Sequence, residues 1–94
     1  MLRIESLEIE DHILDKIESR HGLSLEEVEE ACLSDRRHVR RGKEGLYKLF
    51  SQTMAGRYVL VVLASLGRGN WRIVTARKMT DVERRLYNRV AKGG

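Results

Sequence analysis

Residues 57–77, RYVLVVLASLGRGNWRIVTAR, decide the fold class. Arg57–Ala64 is a β-branched, nearly continuous apolar run of the kind that suits a strand covered on both faces. Leu66-Gly-Arg-Gly-Asn70 supplies a turn, because two glycines let the chain reverse at little steric cost. Trp71–Arg77 is then a second strand, rich in residues that pack well on a pleated surface. The stretch is therefore an antiparallel hairpin, and the rest of the domain has to cover it.

Working outward, Leu46–Gln52 reads as a third strand and residues 35–45 (DRRHVRRGKEG) as a polar, cationic loop. Upstream, Ile9, Ile13, Ile17 and His21 recur at i, i+4 with Leu14 beside them, an amphipathic helix over 11–21 stopped by Gly22. Ser24 and Glu27 match a capping box, in which each side chain satisfies the other's exposed amide. Leu25, Val28 and Cys32 are the apolar face of the short helix that follows. Thr80 and Glu83 form a second capping box, opening a terminal helix with Val82, Leu86 and Val90 on one face. The opening Leu2–Ile9 reads as a short strand running into the first helix. The expected order is (β)ααβββα. This is an α+β domain with two N-terminal helices, a small antiparallel sheet of three to four strands and a C-terminal helix.

Ninety-four residues make one small domain, 1–94, with no room for a large cofactor fold. The longest unbroken apolar run, Tyr58–Ala64, is far short of the ~20 residues a membrane helix needs. The acidic start has no apolar core of a secretory signal. A soluble cytoplasmic protein without membrane association is expected. The net charge of +4 hides an asymmetry. Residues 1–35 hold three Lys/Arg against eleven acids, and residues 36–94 hold fifteen against three. The chain thus pairs an acidic region with a basic one suited to a phosphate backbone or an acidic partner protein.

Metal and cofactor chemistry find no pattern here. His12, His21 and His38 share no ligand spacing, Cys32 is the single cysteine, and Gly67-Arg-Gly69 is too short for a phosphate loop. No nucleophile with a placed base stands out. The cations are more informative. Arg85, Arg89 and Lys92 form one stripe of the terminal helix, with Arg84 and Tyr87 on its other flank. Arg72, Arg77 and Lys78 come from the last strand and its end. Regular alternation would turn Arg72 and Arg77 to opposite faces unless a bulge intervenes. His21 continues an apolar line, consistent with a structural role or with acid–base chemistry. His38 in its cationic loop contacts either nucleic acid or nothing.

Four ordered segments resemble the BrnT-type toxins of bacterial type II toxin–antitoxin modules. Arg20–Glu27 (RHGLSLEE) is similar to K-H-G-[VI]-S-F-E-E, and Gly56–Val62 (GRYVLVV) to G-R-x-L-V-V-V. Arg72–Lys78 (RIVTARK) is similar to R-I-I-[ST]-A-R-[KR], and Thr80–Tyr87 (TDVERRLY) to T-x-x-E-R-x-x-Y. The segments keep the family's order over roughly residues 12–90. The resemblance implies a RelE/ParE-like fold and a metal-independent endoribonuclease that inhibits translation and needs no cofactor. The implied partners are RNA, a cognate ribbon-helix-helix antitoxin and a second toxin copy within the toxin–antitoxin complex. Two departures stand out. The family's opening F-x-W-D is replaced by Ile4–Asp11, and its E-R before an aromatic falls on Gly45 and Leu46 when aligned on Tyr47.

On this reading Arg72 and Arg77, with Arg57 nearby, hold the scissile phosphate, and His21 or Tyr87 transfers a proton. Lys78, Arg85 and Arg89 add nucleic-acid contacts. The competing roles are an Arg77–Glu83 ion pair and a core position for Tyr87. The rival function is a non-catalytic nucleic-acid- or partner-binding module that keeps the toxin fold.

Overall fold

The computed structural model describes residues 2–93. Its elements are β1 (Ser6–Glu8), α1 (Asp11–His21), α2 (Leu25–Leu33), β2 (His38–Arg41), a 3-10 turn (Lys43–Gly45), β3 (Leu46–Gln52), β4 (Tyr58–Gly67), β5 (Asn70–Lys78) and α3 (Asp81–Gly93). The strands form one sheet in the order β1-β5-β4-β3-β2. Neighbours run antiparallel except β1, which lies parallel to β5 with Leu7 opposite Trp71.

Local chemistry sets the helix boundaries where the sequence places them. Gly22 at φ 63° takes the left-handed conformation that ends α1, and its N–H bonds to the Glu18 carbonyl at 3.2 Å. The Ser24–Glu27 box opens α2 with two reciprocal bonds of 3.1 Å. At α3, the Thr80 amide donates to Glu83 Oε1 at 2.8 Å and the Glu83 amide donates to Thr80 Oγ1 at 3.2 Å. The β4–β5 hairpin turns through Arg68 (φ 55°) and Gly69 (φ 80°), the double positive-φ geometry that matches strand twist. Gly69 is required twice over, by its positive φ and because a Cβ there would stand 2.7 Å from the Glu5 side chain, drawn close by the Glu5 amide's bond to the Gly69 carbonyl at 2.7 Å.

α1 and α2 pack on one face of the sheet. Ile17, Leu23, Val28, Ala31 and Cys32 meet Leu49, Val59, Val61, Leu63 and Ile73, all at most 1% exposed. Trp71 closes this core against Tyr47 edge-to-face at 5.2 Å, with its indole N–H donated to the Arg3 carbonyl.

The sheet is larger than the sequence suggests and is mixed. Residues 35–45 are not a loop throughout, because His38–Arg41 pairs with Tyr47–Phe50 as an edge strand. Val39 alone turns towards the core, and an edge strand needs only that much apolar content while its charges guard the open side. Parallel pairing of β1 to β5 supplies the fifth strand.

Candidate nucleic-acid interface

The sheet's second face is covered at one end only. α3 crosses the end formed by His38, Phe50, Tyr58 and Arg77, and Tyr87 is its buried side chain, 2% exposed. Tyr87 lies edge-on to Tyr58 at 6.0 Å and donates its hydroxyl proton to the Arg36 carbonyl at 2.9 Å. Tyr58 in turn bonds Asn88 at 3.2 Å and carries the Arg84 guanidinium 4.5 Å above its ring.

Strand register arranges the remaining side chains of this face in rows running across the strands. The row beneath α3 is His38–Phe50–Leu60–Arg77. The next, uncovered, is Arg40–Lys48–Val62–Thr75, and beyond it lie Leu46, Ala64 and Arg72. Arg72 and Arg77 share this face because the register slips between Val62 and Leu63: Thr75 opposes Val62 but Ile73 opposes Leu63, leaving Val74 as the extra residue of a bulge. Without it Arg72 would point into the core. The two arginines oppose Ala64 and Leu60, four residues apart on β4. At ~3.3 Å per residue this places them about 13 Å apart along the strand. With Arg40, Lys48 and Arg72 all exposed, the open rows present a cationic surface beside α3.

Carboxylates engage several of the site residues expected from sequence. Arg77 grips Glu83 through two bonds of 2.8 and 2.9 Å, and also donates to the Lys78 carbonyl. That grip, with the Thr80 amide, holds the Glu83 carboxyl below the ordinary carboxylate range against the opposing effect of burial, and raises the Arg77 guanidinium in return. Arg57 donates to Glu27 at 2.7 Å and to the Gly22 carbonyl at 3.1 Å, locking the strand to the α1–α2 corner. Arg72 pairs with Glu8 at 3.2 Å on the exposed sheet surface. Burial pushes the Tyr87 phenol up, partly offset by the Arg36 charge, so it retains its proton at neutral pH.

Two concavities result. His21 meets Arg77 and Lys78, with Arg20 and Thr80, around a shallow 510 Å³ depression at the strand ends. On the other side of the Arg77–Glu83 pair, His38, Arg40, Phe50, Leu86, Arg89 and Val90 line a 240 Å³ cleft between α3 and the sheet, with Glu83, its carboxylate held by Arg77, and Tyr87 completing the lining. Arg57 and Arg72 line neither, and Arg85 and Arg89 are exposed on α3. The sequence alone places His38 and Arg40 in a cationic loop, with 36–43 as a binding segment, and does not single out Lys48 or Phe50. The signal for the strand was the alternation His38/Arg40 out, Val39 in. Val82, Leu86 and Val90, the apolar line of α3, are 59%, 43% and 42% exposed.

No family model and no curated protein matches this sequence. Among solved structures, the chain is similar to the 1.1 Å crystal structure of the ribonuclease toxin BrnT of Brucella abortus. The TM-score is 0.67, at 12% identity over 81% of this chain and 97% of that one. The expected α+β fold, with two N-terminal helices, a sheet and a C-terminal helix, is thereby borne out; at this identity the likeness is one of fold.

Proposed function

We propose that this chain is the toxin of a BrnT-type toxin–antitoxin module and cleaves RNA without a metal ion. The observation that carries the reading is the uncovered cationic face, with Arg40, Lys48 and Arg72 exposed beside the Arg77 site on a ribonuclease-toxin fold. In the reaction, a ribose 2′-oxygen bonds to the adjacent phosphorus while the bond from phosphorus to the 5′-oxygen breaks. A base takes the 2′ proton, and the leaving oxygen gains one. The protein's tasks are alignment, proton movement and stabilisation of charge on the phosphorane.

Arg77, oriented by Glu83, and Arg72 supply guanidinium groups on one face. Arg57 fixes the corner behind them. His21 shares the Arg77 depression and is the proton acceptor in this reading, because the Tyr87 hydroxyl stays protonated and is engaged as hydrogen-bond donor to the Arg36 carbonyl. Lys78, Arg85 and Arg89 extend the phosphate contacts. A ribbon-helix-helix antitoxin and a second toxin copy are the protein partners, and the cytoplasm the compartment. No helix among the described residues is long and apolar enough to cross a membrane.

Incubation of purified protein with bulk RNA in EDTA tests the proposal. Cleavage should persist in chelator and vanish in a folded Arg72→Ala/Arg77→Ala variant; unchanged cleavage and growth inhibition by that variant would sink it. A second reading, a binding module without catalysis, is favoured by the commitment of Arg57, Arg77 and Tyr87 to internal partners. Expression separates the two, since a pure binder leaves growth intact whereas the toxin arrests it.

A further inference from the structure

We infer that the 240 Å³ cleft between α3 and the β2–β3 end of the sheet is a pocket for one unstacked base of single-stranded RNA, with the flanking phosphates on Arg40 and Arg89. The inference deepens the RNA reading above by giving the substrate a place to be gripped by a base. The cleft has the composition such a ligand requires. Phe50 offers an aromatic ring, half-buried and so held in position, with the His38 ring tilted beside it at 6.4 Å. Leu86 and Val90 form the opposite wall and stay over 40% exposed, so no part of the described chain fills the space between. An apolar slot with a few polar groups converging on it is the usual form of a small-ligand site.

The rim chooses the ligand class. Arg40 and Arg89 stand exposed on opposite sides of the slot, one on the sheet and one on the helix. Arg40 Nε donates to His38 Nε2 at 3.4 Å, linking two of the side chains that line the cleft. From Arg40 the uncovered row continues to Lys48, its register neighbour on β3. A purely apolar side chain would fill the slot and leave these cations without partners. A base carried on a phosphodiester backbone satisfies slot and rim together. Proteins take unpaired bases this way, stacking the ring on an aromatic side chain while cations track the backbone. The slot holds a single base, so neighbouring nucleotides run out along the Arg40–Lys48 row. The pocket therefore sets which nucleotide sits next to the Arg77 site, from which the Arg77–Glu83 pair divides it.

The test uses the intact protein and a 2′-O-methyl RNA hexamer, which cannot undergo 2′-oxygen attack, beside a hexamer of the same backbone with all six positions abasic, both fluorescein-labelled and read by anisotropy. The complete hexamer should bind more tightly than the abasic one. Phe50→Ala should weaken the complete hexamer roughly 5- to 100-fold and the abasic one little, the range expected for loss of one stacked base. Leu86→Gln, a neutral change at a side chain 43% exposed on α3, should impose a similar base-dependent loss, and its thermal melt checks that it folds. Equal binding of the two hexamers, or equal weakening of both by either variant, would overturn the pocket. So would an acidic peptide of matched charge displacing the hexamer at lower concentration than RNA does, since that result assigns the slot to a protein. Cleavage of unmodified RNA is measured in parallel. Cleavage without base-dependent binding removes the pocket and leaves the ribonuclease; base-dependent binding without cleavage does the reverse.

Discussion

Glu83 is the residue whose replacement the structure predicts in most detail. Its carboxylate makes two bonds to Arg77 and one to the Thr80 amide, so it serves as ionic partner and as helix cap together. Glu83→Gln retains an oxygen for the cap but removes the charge. A charge-assisted pair of this kind is worth about 1.5–3 kcal/mol when buried; the Arg77 side chain is 38% exposed, which reduces the expected cost to about 1 kcal/mol. Glu83→Ala also abolishes the cap, adding about 1 kcal/mol. At roughly 4–8 °C per kcal/mol for a domain of this size, thermal unfolding should fall by about 4–8 °C for Gln and about twice that for Ala. The pH dependence identifies the cause. The folded-state pKa of Glu83 is depressed by Arg77, so its ionic contribution is complete above the unfolded value of about 4.3 and is lost as pH falls through the folded value. Circular dichroism melts of wild type and Glu83→Gln should therefore differ at pH 7 and converge steadily below about pH 5. Glu27, lowered chiefly by the Ser24 amide and then by Arg57, titrates in both proteins and cancels from the difference. A gap between wild type and Gln that is the same at pH 3 as at pH 7 would refute the assignment of that stability to the charge.

Three further outcomes follow from other parts of the molecule. Arg40→Gln and Lys48→Gln should each lower the salt dependence of single-stranded RNA binding by about 0.7 in the log–log slope per lost phosphate contact, whereas Lys16→Gln on α1 should leave it alone; filter binding from 50 to 300 mM salt reads this directly. Cys32 is fully buried under α2 and burial pushes its thiol up to about 12, so native protein at pH 8 should resist iodoacetamide and react only after denaturation; rapid native labelling would mean that α2 opens. Leu46 stands on the open face opposite Ala64, itself the neighbour of Arg72, at the position where the resembled family carries arginine. Leu46→Arg should raise RNA affinity and cleavage, and a decrease in both would show that the substrate does not cross that row.

How far the fold could be read from sequence depended on how local its causes were. Gly22, the Ser24–Glu27 box and the Thr80–Glu83 box act within one turn of chain, so the end of α1 and the starts of α2 and α3 were legible to the residue. β2 was not, because an edge strand with one inward residue has almost no apolar signature, and HVRR between polar neighbours resembles a loop. The bulge did leave a trace. Trp71 and Ile73 turn inward at a spacing of two, but the next inward residue is Ala76, so the apolar phase slips by one at Val74. That slip decides whether two arginines of WRIVTAR serve the same face. The ion pair of Arg77 with Glu83 was a legible alternative at six residues' separation, whereas that of Arg57 with Glu27 spans thirty and depends on the completed corner. The cleft is illegible for a further reason. His38 comes from an unrecognised strand, Phe50 from the outward phase of β3, and Leu86, Arg89 and Val90 from α3. Amphipathic spacing shows that Val82, Leu86 and Val90 share a side of α3; it does not show what lies against that side. In most small domains the chain's own core does. Here the helix is anchored through Tyr87, and its apolar flank borders an uncovered, cationic part of the sheet. A pattern that ordinarily signals folding here lines an open cleft instead, and the distinction lies in the packing rather than in the spacing.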